Sequence, residues 1–396
     1  MKQNDTLCSY SRIAVVEAYG LYLMTGIAAA CIGASMIALT GYFQVSVAQV
    51  AALSSAFALG RVVMVFFCGI ITEKLGVRKS FMIGYLALGI NFIFMPLNTH
   101  YWLALILMAI AGMGMGFQDS GCPVILSRAF PMNYSGAMSA GQAFFGIGNF
   151  IPPLTMSLLL LSGLSWKVMF FIFGGMTLAL FVATFFMPRE RIPDNSGEHE
   201  HGFSMAWLKR QGKFFFVLFL TNFFYCSLLN IVHIYTNPYV LSFGIHESIS
   251  VNVLTMFSVG AVIGSLAFVR ILRRARPVKV LLVNLVIAFL SLCIAIISGN
   301  IIVFFIMFTV AGAFSGVLFS VLVTLATNAA PRHTAMAASL IGFTGGISDI
   351  LTPLAVGRVV TVASVRIAFP SVLLATAIAV VGAYMVIRLQ PRKQQA

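Results

Sequence analysis

Long apolar runs recur along the chain, separated by short breaks that carry charge, proline or polar clusters. They cover residues 13–40, 46–71, 80–98, 101–126, 137–161 and 166–187, then 214–240, 250–271, 278–298, 300–326, 335–361 and 367–388. A helix needs about 20 apolar residues to cross the hydrocarbon core of a bilayer, so each run reads as one membrane span. Twelve spans place both chain ends on the same side. The longest polar stretch, about 188–213, holds Pro188, Pro193, Asn195, Ser196 and Gly197 and divides the spans six and six, as a linker does. The pattern predicts an all-α membrane protein of twelve transmembrane helices. One six-helix bundle covers 1–187, a cytoplasmic linker 188–213, and a second six-helix bundle 214–396.

Composition excludes the soluble classes. The 396 residues are 60% hydrophobic and 9% charged, against roughly 45–50% and about 25% in soluble domains. The first apolar run, about 28 residues long, exceeds the roughly 7–15 residue core of a cleavable signal peptide and is expected to remain as the first span. A net charge of +14 would suggest nucleic acid as the partner of a soluble protein. Here the basic residues fall in alternate short loops, and with the N-terminus inside, 20 of the 24 Lys and Arg face the cytoplasm. That asymmetry follows the positive-inside rule. It predicts a multi-pass protein of the cell inner membrane with both termini cytoplasmic, in contact with lipid and not with nucleic acid, and working as a monomer. The six cysteines are scattered without a CxxC pair, and Glu198-His199-Glu200-His201 lies in the polar linker, so no metal or cofactor is expected.

Residues 111–154 laid over 311–354 at a constant offset of 200 pair Gly112 with Gly312, Gly116 with Gly316, Ser120 with Ser320, Pro131 with Pro331, Gly146 with Gly346 and Pro153 with Pro353. Aligned prolines and glycines exceed what shared membrane composition provides, and they relate span 4 to span 10 and span 5 to span 11. Two joined six-helix repeats are an architecture in which substrate binds near the bilayer midplane while the repeats rock around it. Between spans 2 and 3 stands Gly69-Ile70-Ile71-Thr72-Glu73-Lys74-Leu75-Gly76-Val77-Arg78-Lys79. With this loop, the Gly60-Arg61 pair and the stretch Gly112 to Pro131, the chain resembles the major facilitator superfamily over essentially its whole length, and within it certain bacterial permeases. The resemblance implies two pseudo-symmetric bundles, a cavity ringed by spans 1, 4, 7 and 10, and a conformational latch near spans 4 and 11 formed by Gly69, Glu73, Gly76, Arg78 and Lys79. Glu73 stands where the family usually has Asp, and Val77 where it usually has a basic residue, so altered charge contacts are expected in the loop.

A charged group at the bilayer centre costs about 2.5–3.5 kcal/mol on insertion scales, so each one present needs a cavity, a partner or a function. The spans hold Glu17, Arg61, Asp119, Asp349 and Arg358, with His233. At about 1.5 Å per helical residue, Arg61, Asp119 and Asp349 lie roughly 13–20 Å from the inner face and can meet at mid-depth. These three are the candidates for proton coupling or gating. Two partners are open to Arg61: Asp349 in the second repeat, favoured by the resemblance, which sets span 11 against span 2, and Asp119 in the first. Glu17 and Arg358 lie nearer the span ends, where long side chains snorkel. In span 7, Asn222, Cys226, Asn230, His233 and Asn237 recur at helical spacing and form one polar stripe that lipid would not tolerate. In span 10, Gly316, Ser320, Thr324 and Thr327 do the same, serving either a cavity or close helix packing. Tyr22, Gln118, Asn222, Asn230, His233, Ser320 and Thr324 are therefore the substrate-cavity candidates.

The chain has no GxxxxGK[ST] loop, HExxH or GxSxG element, which argues against ATP-driven pumping and against an enzyme. The expectation is a secondary active transporter that moves a small polar organic solute by alternating access, coupled to protons through a carboxylate whose ionisation depends on burial and a nearby arginine. Multidrug efflux antiport, suggested by 20 Met and 36 Phe, is the alternative. A membrane receptor or scaffold without transport is the third class.

Overall fold

The computed structural model describes residues 3–187, 212–245, 247–362 and 364–389. Linker residues 188–211, including Glu198-His199-Glu200-His201, lie outside the described residues. Among those described, every regular element is helical. In chain order they are α1 (Gln3–Ala34), α2 (Met36–Phe43), α3 (Val47–Leu75), α4 (Val77–Phe94), α5 (Tyr101–Ala129), α6 (Tyr134–Leu161) and α7 (Lys167–Ala183). After the linker come α8 (Gly212–Leu241), α9 (Glu247–Ile271), α10 (Pro277–Ser298), α11 (Ile301–Ser315), α12 (Leu318–Ala329), α13 (Thr334–Val362), α14 (Val365–Ala368) and α15 (Ser371–Leu389). Among the described residues, eleven segments are long and apolar enough to cross a membrane, and α3 supplies a twelfth span bent by 51° between Ala52–Val65 and Phe67–Leu75.

Three runs predicted as single helices are broken, the last of them at Phe369 and Pro370 between α14 and α15. The first is interrupted at Ser35, whose hydroxyl donates to the Cys31 carbonyl at 2.7 Å alongside the backbone N–H at 3.0 Å. The tenth is interrupted between α11 and α12, where Gly316 sits so close to α9 that an added Cβ would stand 2.6 Å from the Ala261 carbonyl oxygen. Residues 212 and 213, read in the sequence as the end of the linker, instead open α8.

The chain forms two compact units. One comprises residues 1–134, 144–197 and 330–343; the other comprises 135–143, 198–329 and 344–396. The start of α13 therefore packs with helices of the first repeat, and the start of α6 with helices of the second. Ser139 of α6 donates to the Ser265 carbonyl of α9 at 2.6 Å, and a Cβ on Gly69 of α3 would meet Ser339 Oγ of α13 at 2.7 Å.

The repeat extends well beyond the aligned segment and is written into the backbone. In the first unit α3 crosses α5 with glycine on both sides: a Cβ on Gly60 would overlap the Ala109 carbonyl, and one on Gly112 the Phe57 carbonyl. In the second unit α9 crosses α11 identically, with Gly260 on Thr309 and Gly312 on Phe257. Each of these four positions is displaced by 200 from its counterpart. The connections to α6 and α13 repeat as well. Phe130 has φ −129° and ψ 58°, Ala330 has φ −128° and ψ 63°, and a short 3-10 turn follows each, at Pro131–Asn133 and Pro331–His333. Proline at the first turn position explains both: its φ is preset and its missing N–H is not needed there.

Candidate functional site

The α3–α5 crossing determines where the buried charges meet. Because glycine lets the two backbones touch, Arg61, next to Gly60, reaches Asp119 two turns beyond Gly112. Arg61 Nε donates to Asp119 Oδ2 at 2.8 Å, with the side chains 11% and 1% exposed. A charge-assisted pair is the condition under which such groups survive desolvation. Of the two partners the sequence left open, Asp119 lies in the same compact unit and pairs with Arg61. The network continues: Gln118 Nε2 donates to Asp119 Oδ1 at 3.3 Å, and the Thr25 hydroxyl of α1 contacts Gln118 Oε1. From α13, Gly342 lies over the carboxylate, where a Cβ would stand 2.8 Å from Asp119 Oδ2. Four helices therefore converge on this one carboxylate, and the absence of a side chain at position 342 makes the approach possible. Glu17, expected to snorkel, is instead 1% exposed. It lies beside Tyr85, whose hydroxyl donates to the Glu17 backbone carbonyl at 2.8 Å.

The loop at the end of α3 is tied down at several points. Glu73 accepts the Met336 backbone N–H at 3.2 Å and approaches His333 Nδ1 to 3.7 Å. Met336 lies in the first turn of α13, so the carboxylate faces the positive end of that helix dipole. Glutamate, one methylene longer than the residue usual in the resembling family, spans this gap. Gly76 has φ +83°, a left-handed value that glycine adopts without strain, and Arg78 Nη2 donates to the Phe185 carbonyl at 2.9 Å. Lys79 is exposed. Replacing Glu73 with Gln removes the charge from the helix end and is expected to weaken the contact by about 0.3–1 kcal/mol. In a Ser339→Cys background, labelling by a water-soluble maleimide should then accelerate; unchanged labelling would show that Glu73 does not hold α13.

In the second unit, α8 and α13 meet along a polar seam. Asn222 Nδ2 donates to Thr344 Oγ1 at 2.8 Å, the hydroxyls of Ser227 and Ser348 are 2.9 Å apart, those of Ser227 and Thr352 are 2.8 Å apart, and Tyr235 donates to the Pro353 carbonyl at 3.1 Å. Asn230 Nδ2 donates to Asp349 Oδ1 at 2.9 Å. His233 is exposed and stands edge-on to Phe257, with ring centroids 5.7 Å apart. The polar stripe of span 7 is thus partly a helix contact, at Asn222 and Asn230, and partly exposed, at His233.

Five of the seven cavity candidates are packed side chains: Tyr22, Gln118, Asn222, Ser320 and Thr324 are each at most 2% exposed. Ser320 donates to the Val317 carbonyl at 2.7 Å and Thr324 to the Ser320 carbonyl at 2.7 Å, so these hydroxyls are used within their own helix. Thr25 and Gly342 escaped the sequence reading as members of the charge network, and Ser227 as a member of the seam. Thr344, Ser348 and Thr352 recur every fourth residue, a spacing that marks the matching face of span 11.

A duplicated, twelve-span helical chain with a buried ion pair and an acid-capped helix start is the architecture of a membrane transporter. The family model described as Major Facilitator Superfamily matches residues 18–251 and 217–396, and the chain belongs to that superfamily. It is 23% identical over 353 residues to the uncharacterised MFS-type transporter YfkL of Bacillus subtilis strain 168, covering 85% of this chain and 86% of that one. It is also 23% identical over 372 residues to the inner membrane transport protein YdiN of Escherichia coli strain K12, covering 90% and 86%. Among solved structures it is similar to the E. coli fucose:proton symporter FucP, with a TM-score of 0.80 at 18% identity over 95% of this chain and 99% of that chain. The protein is accordingly a membrane-embedded transporter of small molecules and not an enzyme.

Proposed function

We propose that this transporter moves a small polar organic solute across a bacterial inner membrane by alternating access between two six-helix bundles, 1–187 and 214–396, as a monomer with cytoplasmic termini, driven by protons. The observation that carries the reading is the buried Arg61–Asp119 pair. A carboxylate beside an arginine gives up its proton readily; one from which the arginine has withdrawn holds it. Asp119 thus acts as the coupling group, Arg61 as its switch, and Asp349 as a second acid held by Asn230. Asn230 and His233 offer hydrogen-bonding groups to the solute. FucP, whose fold this chain shares, is a proton symporter by name, and YdiN is an inner membrane protein.

The test begins with a metabolite screen for thermal stabilisation, since a ligand stabilises the native state by mass action. Proteoliposomes carrying a pH-sensitive dye then report proton movement on addition of the stabilising solute. Solute-dependent proton flux, lost in Asp119→Asn, is expected. Solute movement without proton flux would refute coupling. Replacing Asn230 or His233 with Ala is expected to lower uptake of that compound class at least about tenfold, the effect of one lost buried hydrogen bond to a charged or polar group. Export of unrelated dyes, indifferent to both substitutions, would favour efflux.

A further inference from the structure

The connection between α9 and α10 carries Arg270, Arg273, Arg274, Arg276 and Lys279, five cations within ten residues. All five are exposed, and among the described residues none makes an ion pair or a side-chain hydrogen bond. The repeat sharpens the contrast. At an offset of 200, Arg273 stands where the first repeat has Glu73, and Arg274 where it has Lys74. The first loop directs its acid to a helix start and its Arg78 to a backbone carbonyl. Its counterpart has inverted the acidic position and directs nothing inward.

The helix faces below these cations indicate what they meet. On α9, Ile263 and Leu266 are 59% and 50% exposed, and Arg270 lies four residues beyond Leu266 on the same face, with Arg273 and Arg274 in the turn that follows the helix. On α10, Val283, Leu290, Ile294 and Ile297 are 50–81% exposed, and Lys279 begins that face one turn before Val283. Exposed apolar stripes on a membrane-embedded helix face lipid tails, so both stripes end in cations at headgroup level. Lysine and arginine in this position attract anionic headgroups over a short range.

We infer that the α9–α10 loop binds the phosphate headgroup of an anionic phospholipid whose tails lie along the exposed faces of α9 and α10. This requires only that the chain is membrane-embedded and stands apart from the choice of solute or coupling ion. The test compares the wild-type protein with the fourfold variant Arg270→Gln, Arg273→Gln, Arg274→Gln and Arg276→Gln in phosphatidylcholine nanodiscs with or without phosphatidylglycerol. Native mass spectrometry of protein released from these discs counts retained lipid, and thermal unfolding reports stabilisation. Wild type is expected to retain about tenfold more phosphatidylglycerol than the fourfold Gln variant and to unfold at a higher temperature only when that lipid is present. A fourfold Arg→Lys variant, which keeps the charge and hence the membrane orientation, should retain the lipid. Equal retention in wild type and the Gln variant would overturn the site. So would loss of lipid by the Lys variant, or a thermal shift reproduced by inorganic phosphate in phosphatidylcholine discs, which would indicate a site for free anions.

Discussion

Asp119→Asn is expected to destabilise the protein by about 3–5 kcal/mol, the usual cost of removing one member of a buried ion pair. The substitution keeps the shape and still offers Gln118 an oxygen, but it removes the charge that Arg61 faces at 2.8 Å. Thermal unfolding of the purified protein should show a lower midpoint. The double variant Arg61→Gln with Asp119→Asn should regain most of the loss, because two neutral amides of similar volume can bond each other without stranding a charge. If the double variant were as unstable as the sum of its parts, the pair would not be the unit that matters. Stability and coupling separate here: the double variant is expected to fold and still to move no protons.

The second large effect concerns the helix crossings. Gly60→Ala and Gly260→Ala would each drive a methyl group into a carbonyl of the facing helix, Ala109 in one unit and Thr309 in the other. Backbone cannot yield as a side-chain tip can, so the helices must separate, and overpacking of this kind typically costs about 1–3 kcal/mol. Gly175→Ala in α7 is the control, since nothing lies within 4 Å of its added Cβ. There the same substitution should be neutral or slightly stabilising, as alanine favours helix by up to about 1 kcal/mol. Matching losses at positions 60 and 260, with none at 175, would establish that both crossings rest on the same contact. A loss at only one would mean the repeats no longer share it.

The spans were legible because apolar runs and charge asymmetry are properties of composition, which needs no tertiary knowledge. Helix breaks at Ser35 and Gly316 were not legible, because a serine back-bond and a glycine under a neighbouring carbonyl look like ordinary span residues in a linear string. Arg61 and Asp119 stood out as charges in apolar runs. Placing Asp119 against Arg61 required the α3–α5 crossing, which depends on Gly60, a glycine among many. For Ser320 and Thr324 the sequence left both roles open: helical spacing reveals which residues share a face, and says nothing of whether a hydroxyl turns to a cavity or to its own backbone.

The crossings and proline turns are doubled at an offset of 200, yet the charges inside the spans and the acid of the first loop are not. Ala261 stands opposite Arg61, Phe319 opposite Asp119, Asn149 opposite Asp349 and Arg273 opposite Glu73. The two halves therefore share their backbone contacts while their buried charges differ. Exchange of a buried charge alters one half alone, whereas each crossing glycine has a counterpart 200 residues away with the same kind of contact to lose.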